Sequence, residues 1–218
     1  MEAGWVYHVL NRGNAGMRLF DEPAEYDGFE EILAAGLERY PVELFTYCLM
    51  PNHWHLVVRP ATDEAVGRML GWVGVTHVRR HHARHRSRRG GHLYQGRFKC
   101  FPVEDDYHFL TVCRYVEANP VRGKLVRRAE QWRWSGLWRR QKRKSDLPLA
   151  EWPEDRPRGW LSLVNEGMEE NELTAVRVCA QRGRPYGTVE WVAATASRLG
   201  LGFTLRRPGR PAKTRENE

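Results

Sequence analysis

Residues 49–58 read LMPNHWHLVV, a turn-forming Pro-Asn pair followed by a run of residues that favour a β-strand. Successive side chains of a strand point to opposite faces of a sheet, so His53 and His55 share one face. Trp54 and Leu56 lie on the other face, which we expect to be buried. Two adjacent imidazoles suit a metal ion, although two half-buried histidines at a sheet edge would give the same pattern.

The composition favours nucleic acid as a partner. Lys and Arg total 35 of the 218 residues against 27 Asp and Glu, which gives a net charge of +8. Nine Trp and eight Tyr accompany these charges, a combination typical of phosphate contact and base stacking rather than of a merely soluble basic surface. The four cysteines are dispersed and are expected to be reduced thiols. We see no signal peptide or membrane-spanning run and expect a cytoplasmic protein.

Hydrophobic periodicity predicts the order β-α-β-β-α-β-α in the first 120 residues. That order is typical of an α+β fold, a ferredoxin-like antiparallel sheet with helices on one face, followed here by a small basic helical C-terminal extension. Strands are predicted at residues 5–10, 42–49, 53–58 and 98–103, and helices at residues 21–40, 63–86 and 104–119.

The third predicted helix carries a possible nucleophile. Tyr115 and Asn119 are four residues apart and therefore lie on one face of the helix. A tyrosine phenol can attack a phosphodiester when a cation neutralises the phosphate, and an asparagine amide oxygen can complete the coordination of that cation. A core tyrosine and a helix-ending asparagine ahead of Pro120 would show the same spacing.

Several blocks of the chain resemble, in order, the REP-associated tyrosine transposases, which belong to the single-tyrosine HUH transposases and nucleases. Residues 51–58 resemble the histidine–hydrophobe–histidine (HUH) signature, and residues 115–122, YVEANPVR, resemble the tyrosine helix. Further similar blocks are residues 7–13, 91–99, 132–135, 184–187 and 209–211.

The resemblance implies a metal-dependent single-stranded DNA endonuclease and strand transferase that binds and cleaves hairpins of palindromic repeats. It implies that His53, His55 and Asn119 hold Mg²⁺ or Mn²⁺ and that Tyr115 forms a 5′-phosphotyrosine. Related transposases have a glutamine at the position of Asn119, so the side chain at this position is shorter here. The residues alone do not exclude zinc. We expect a monomer or a homodimer without a membrane partner.

Basic side chains outside this site are predicted to contact DNA phosphates. The predicted contacts are Arg12, Arg79, Arg80, Arg84, Arg86, Arg88, Arg89, Arg97, Lys99, Arg122, Arg184 and Arg210. His77, His81 and His85 recur at a helical spacing that suits a metal ion. Because arginines surround them and would repel a cation, we expect a solvated face that contacts phosphates.

We divide the chain into a catalytic domain (residues 1–138), a linker rich in charge and proline (139–160) and a DNA-binding extension with a basic tail (161–218). Two other functions fit the pattern. One is a hairpin-binding repressor that has lost catalysis, and the other is a zinc hydrolase with a further His, Asp or Glu beside His53 and His55. Metal ligation needs neutral imidazoles, so we expect activity to fall below about pH 6.5.

Overall fold

A computed structural model describes residues 1–85, 91–104 and 107–206. In these residues four strands form one sheet in the order β2-β3-β1-β4, and every neighbouring pair is antiparallel. This is the strand order of a ferredoxin-like fold, and the α+β prediction is confirmed. The strands are β1 (Val6–Arg12), β2 (Val42–Met50), β3 (His53–Pro60) and β4 (Lys99–Val103).

The helices follow the predicted order, with shorter boundaries. The first begins at Pro23 behind a capping box formed by Glu22 and Glu25, and it ends before Pro41. None of the helices in the described ranges is both long and apolar enough to cross a membrane. The helices are α1 (Pro23–Arg39), α2 (Ala65–Arg84), α3 (Tyr107–Glu117), α4 (Asn119–Arg122), α5 (Gly136–Lys142), α6 (Trp160–Glu166), α7 (Glu170–Arg182) and α8 (Val189–Arg198).

Alternation along the strands divides the apolar side chains between two cores. Tyr7 and Leu56 pack with α1 and α2 on one face of the sheet. Val6 and Val57 pack on the other face with α3, α6 and α7. The prediction of helices on one face therefore holds for α1 and α2 and is wrong for α3, because the strands are apolar on both faces and both must be covered.

The β2–β3 hairpin sets the position of the two histidines. Met50 pairs with His53, so Pro51 and Asn52 form the two-residue turn between the strands. The Pro51 carbonyl accepts hydrogen bonds from the backbone N–H groups of Leu19 and Phe20, which hold the turn in place. The pairing register of β3 is thereby defined at its first residue.

Residues 139–160 pack closely against the sheet and α1. The Arg139 guanidinium is buried and lies 2.5 Å from the Glu30 carboxylate and 2.6 Å from the Tyr47 hydroxyl. Leu147 is fully buried in the core beneath α1 and α2. The domain boundaries at residues 139 and 160 stay a prediction, but the range between them is joined to the first 138 residues by buried contacts.

Candidate active site

His53 and His55 lie at the start of β3, on the face of the sheet that α3 covers. They line a cleft of about 490 Å³ between this end of the sheet and the helices α3 and α7. Eight of the eleven other residues that line it have charged or polar side chains, which suit contact with phosphate groups. They are Asn11, Arg12, Gln95, Arg97, Lys99, Tyr115, Arg177 and Gln181.

Each of the two imidazoles is held through its Nδ1 atom. His53 Nδ1 lies 2.7 Å from Asn52 Oδ1, and His55 Nδ1 lies 2.9 Å from His8 Nε2. A neutral ring with its hydrogen on Nδ1 keeps a free lone pair on Nε2. The Nε2 atoms are therefore the ones that can ligate a metal ion from the cleft.

The surroundings of the pair keep both rings neutral. Burial lowers the pKa of His53 to about 4, and the charges of Arg12 and Arg122 act in the same direction. Burial, followed by the neighbouring His53 and His8, holds the pKa of His55 well below its usual value. Neutral imidazoles, each with a lone pair on Nε2, fit a divalent cation. The expectation that protonation begins near pH 6.5 is wrong for this site, because that value belongs to a solvated ring.

His8 is the buried partner of His55, and sequence reasoning gave it no role. It pairs with Val57 in the β1–β3 ladder, so it is the diagonal neighbour of His55 across the strands. The two rings stack with centroids 5.0 Å apart. Ligation through His55 Nε2 requires His55 Nδ1–H to donate to His8 Nε2. His8 then carries its hydrogen on Nδ1, a buried atom without a hydrogen-bond partner among the described residues.

Tyr115 and Asn119 lie beside the histidines. The helix α3 ends at Glu117, close to the predicted end, and a separate short helix, α4, begins at Asn119 with Pro120 in its first turn. The Tyr115 ring centroid is 5.8 Å from that of His55. The Asn119 amide lies within hydrogen-bonding reach of the His53 ring, a contact that favours its protonated form. The four residues predicted to form one site are therefore neighbours in the structure.

Arg122 contacts both the ring and the backbone of Tyr115. Its guanidinium carbon lies 4.2 Å from the Tyr115 ring centroid, and its Nη2 donates to the Tyr115 carbonyl oxygen at 2.7 Å. The same side chain is mostly buried, and burial lowers its pKa. Arg122 thus contacts the tyrosine itself, and its expected contact with DNA phosphate stays a prediction.

Some of the other predicted phosphate contacts lie in the cleft and others do not. Arg12, Arg97 and Lys99 line the cleft, together with Arg177 and Gln181 of α7. Sequence reasoning missed these last two, because nothing in the local pattern of α7 indicates which distant strand it meets. Arg184 is half-buried beside Cys179, and Arg86, Arg88, Arg89 and Arg210 lie outside the described residues.

The basic end of α2 lies apart from the cleft. Arg79 is exposed there, while Arg80 and Arg84 form ion pairs with acidic residues of α1. His77 is buried, with its Nδ1 2.7 Å from the Tyr94 hydroxyl. The expectation that His77 belongs to a solvated face is wrong, because its side of α2 packs on aromatic rings of the core.

Comparisons of the sequence and of the fold with known proteins both find similarity to transposases. The family described as Transposase IS200 like matches residues 3–119, which is more than half of the chain and includes His53, His55, Tyr115 and Asn119. A Haemophilus influenzae protein named as a REP-associated tyrosine transposase is 25% identical over 127 residues, covering 54% of this chain and 68% of the relative. The solved structure of a REP-associated tyrosine transposase bound to a REP hairpin has a TM-score of 0.55 at 14% identity. That match covers 71% of this chain and 90% of the other, and it supports the fold alone.

Proposed function

Because the chain belongs to the IS200-like transposase family, we propose that it cuts and rejoins single-stranded DNA with Tyr115 as the nucleophile. The observation that carries the proposal is the convergence of Tyr115, His53 and His55 on one basic cleft. These residues come from segments 60 residues apart, and a structural core would not need two neutral imidazoles at the wall of a polar cleft.

We propose that His53 and His55, through Nε2, and the Asn119 amide oxygen hold a divalent cation, Mg²⁺ or Mn²⁺. When bound, the cation supplies positive charge that stabilises the scissile phosphate during attack. The buried hydrogen bonds of Asn52 and His8 orient the two rings, as the outer partners of metal-binding histidines usually do. Asn119 contributes a neutral oxygen, a hard donor that suits either metal.

The covalent step exchanges one phosphoester for another. The Tyr115 phenol oxygen attacks the phosphorus, the bond to the 3′ oxygen breaks, and the phenol proton leaves while the 3′ oxygen gains one. The products are a 5′-phosphotyrosine and a free 3′-hydroxyl. Since the phosphoester is retained, a 3′-hydroxyl can attack it and reseal a strand without an energy-supplying cofactor. The Arg122 guanidinium, stacked on the ring, stabilises negative charge on the phenol oxygen.

A hairpin is the substrate that the arrangement of basic groups favours. β1 and α2 both end on the side of the sheet where His53 begins β3, because α2 runs back along the sheet from the far end of β3. We propose that the cleft residues Arg12, Arg97, Lys99 and Arg177 receive a single strand and that the exposed Arg79 of α2 contacts the adjoining duplex.

The proposal is tested by trapping the intermediate. The full chain is incubated with an end-labelled hairpin oligonucleotide carrying a single-stranded flank and with Mn²⁺ or Mg²⁺, and the products are separated under denaturing conditions. We expect a covalent protein–DNA adduct in the native chain and none in Tyr115→Phe, which keeps the ring and its packing. Equal adduct formation by Tyr115→Phe would refute the assignment of the nucleophile.

One observation favours an alternative function, that of a hairpin-binding repressor of the same fold. The short Asn119 side chain contacts His53 itself. If the chain is such a repressor, it binds the hairpin but forms no adduct with either metal. The zinc hydrolase needs another ligand beside the histidine pair. Among the described residues His8 approaches that pair, and its Nε2 is already bonded to His55.

A further inference from the structure

We propose that Glu25, His81 and His85 form a second metal site, one for Zn²⁺, separate from the Tyr115 cleft. The carboxylate oxygen and the two ring nitrogens that would serve as ligands all lie within 4.8 Å of one another. These residues belong to α1 and α2, which cover the opposite face of the sheet from α3. The site is therefore independent of the proposed nuclease chemistry.

The geometry is that of a two-helix zinc site. His81 and His85 are one turn apart at the end of α2, with ring centroids 4.3 Å apart. Glu25 lies in the first turn of α1, and its Oε1 is 2.6 Å from His85 Nε2. Zinc bonds to nitrogen and oxygen at about 2.0–2.2 Å, so tetrahedral ligands stand about 3.4 Å apart. To reach that spacing, His85 Nε2 and Glu25 Oε1 must separate by about 0.8 Å, and the other pairs of ligand atoms must approach by about 1.4 Å at most.

The Glu25 carboxylate is held in place before any metal binds. Its Oε2 accepts hydrogen bonds from the backbone N–H groups of Asp21, at 2.5 Å, and Glu22, at 3.3 Å. Its side chain is only 7% exposed. Burial raises its pKa, but these hydrogen bonds and His85 outweigh burial and keep the pKa below its usual value. An ionised carboxylate with a fixed orientation is thus aimed at two imidazoles.

Three arginines near the cluster, Arg18, Arg80 and Arg84, do not repel a cation as the sequence suggested, because an acidic side chain pairs with each of them. Each has an acidic partner on α1 or on the turn before it, and Glu25 adds a further negative charge to the group. Arg84 Nε is also 3.5 Å from Glu25 Oε1, a contact that a bound zinc ion would replace. The pairs are Arg18–Asp21 at 2.9 Å, Arg80–Glu31 at 2.9 Å and Arg84–Glu22 at 2.5 Å.

Two imidazoles and one carboxylate suit Zn²⁺ better than Mg²⁺, which prefers a shell of oxygen atoms. Three protein ligands leave a fourth position open. The adjoining cavity of about 480 Å³ is also lined by His82 and His92, so a small ligand can reach that position. The bound ion would join the last turn of α2 to the first turn of α1, directly before the arginine-rich residues 86–89 in the sequence.

The test uses the full chain in a His53→Ala/His55→Ala background, which removes the other proposed metal site. After treatment with a chelator, Zn²⁺ is titrated against a fluorescent competitor, and bound zinc is counted by elemental analysis. We expect one zinc ion per chain. His81→Ala and Glu25→Gln should weaken binding by at least about 100-fold, the upper range for losing even an outer partner of a zinc site. His108→Ala, the same change on α3 at a residue that lines neither this cavity nor the cleft, should have no effect.

Thermal unfolding distinguishes the loss of a zinc ligand from the loss of the folded structure. Glutamine at position 25 can still accept the backbone hydrogen bonds, and alanine at position 81 favours a helix, so both variants should fold. Saturating Zn²⁺ should raise the Tm of the background chain and of His108→Ala, and should not raise that of His81→Ala. The proposal would be overturned if His81→Ala and His108→Ala had the same zinc affinity and the same rise in Tm.

Discussion

Replacing His8 by Phe should weaken metal binding at the candidate active site without unfolding the chain. His8 Nε2 is the acceptor that keeps hydrogen on His55 Nδ1 and leaves His55 Nε2 free for the ion. Phenylalanine retains a flat ring between His55, Phe101 and Tyr115 but removes this acceptor. Loss of such an outer partner typically reduces metal affinity by about 10- to 100-fold, or about 1.4–2.7 kcal/mol.

The effect on stability should be small, because the substitution removes one buried group without a hydrogen-bond partner and creates another. In the native chain a ligating His55 leaves His8 Nδ1 buried without a partner, and His8→Phe removes that atom. The substitution also leaves His55 Nδ1 without its acceptor. Each buried unsatisfied group costs about 1–3 kcal/mol, so we expect the net change in the free energy of unfolding to lie within about 1 kcal/mol.

The assay is the rate of covalent adduct formation as a function of Mn²⁺ concentration, with urea unfolding measured in parallel. His8→Phe should move the midpoint for Mn²⁺ about 10- to 100-fold higher and nearly recover the native rate at saturation. His8→Gln, whose amide oxygen can accept from His55, should recover part of the affinity. An unchanged Mn²⁺ midpoint in a folded His8→Phe chain would refute the reasoning.

Three further outcomes follow from the structure. Arg97→Ala should lower the slope of hairpin affinity against salt by about 0.7–0.9, while Arg39→Ala, at the far end of α1, should leave it unchanged; equal slopes would remove Arg97 from the DNA path. Because the pKa of His53 is about 4, Mn²⁺ affinity measured by electron paramagnetic resonance should vary by about twofold or less between pH 7 and 5.5; a loss of about 70-fold would indicate two ordinary histidines. Burial lowers the pKa of His77 to about 3, so the unfolded chain binds the extra proton and stability is lost as the pH falls from 6.5 towards 3. By pH 5 the loss is about 2 kcal/mol, and His77→Phe should remove that share of the acid sensitivity seen in urea unfolding; an unchanged difference between pH 7 and pH 5 would count against it.

Local pattern was sufficient for much of the fold. The hairpin at Pro51–Asn52, the end of α1 before Pro41 and the alternating faces of β3 all depend on residues close together in the chain. For the same reason the spacing of His53 and His55, and that of Tyr115 and Asn119, predicted which side chains share a face. Periodicity reports neighbours within an element, and each of these pairs lies within one short stretch.

The remaining features required contacts between distant segments. The pairing of His8 with His55 depends on the register of β1 against β3, which places His8 opposite Val57 and Leu10 opposite His55. The position of Arg177 in the cleft and the neutralisation of Arg84 by Glu22 depend on which helices pack together. The charged residues can be counted in the sequence, but their partners cannot be identified from it. Electrostatic energy depends on the distances between charges, and only the packed chain defines these distances.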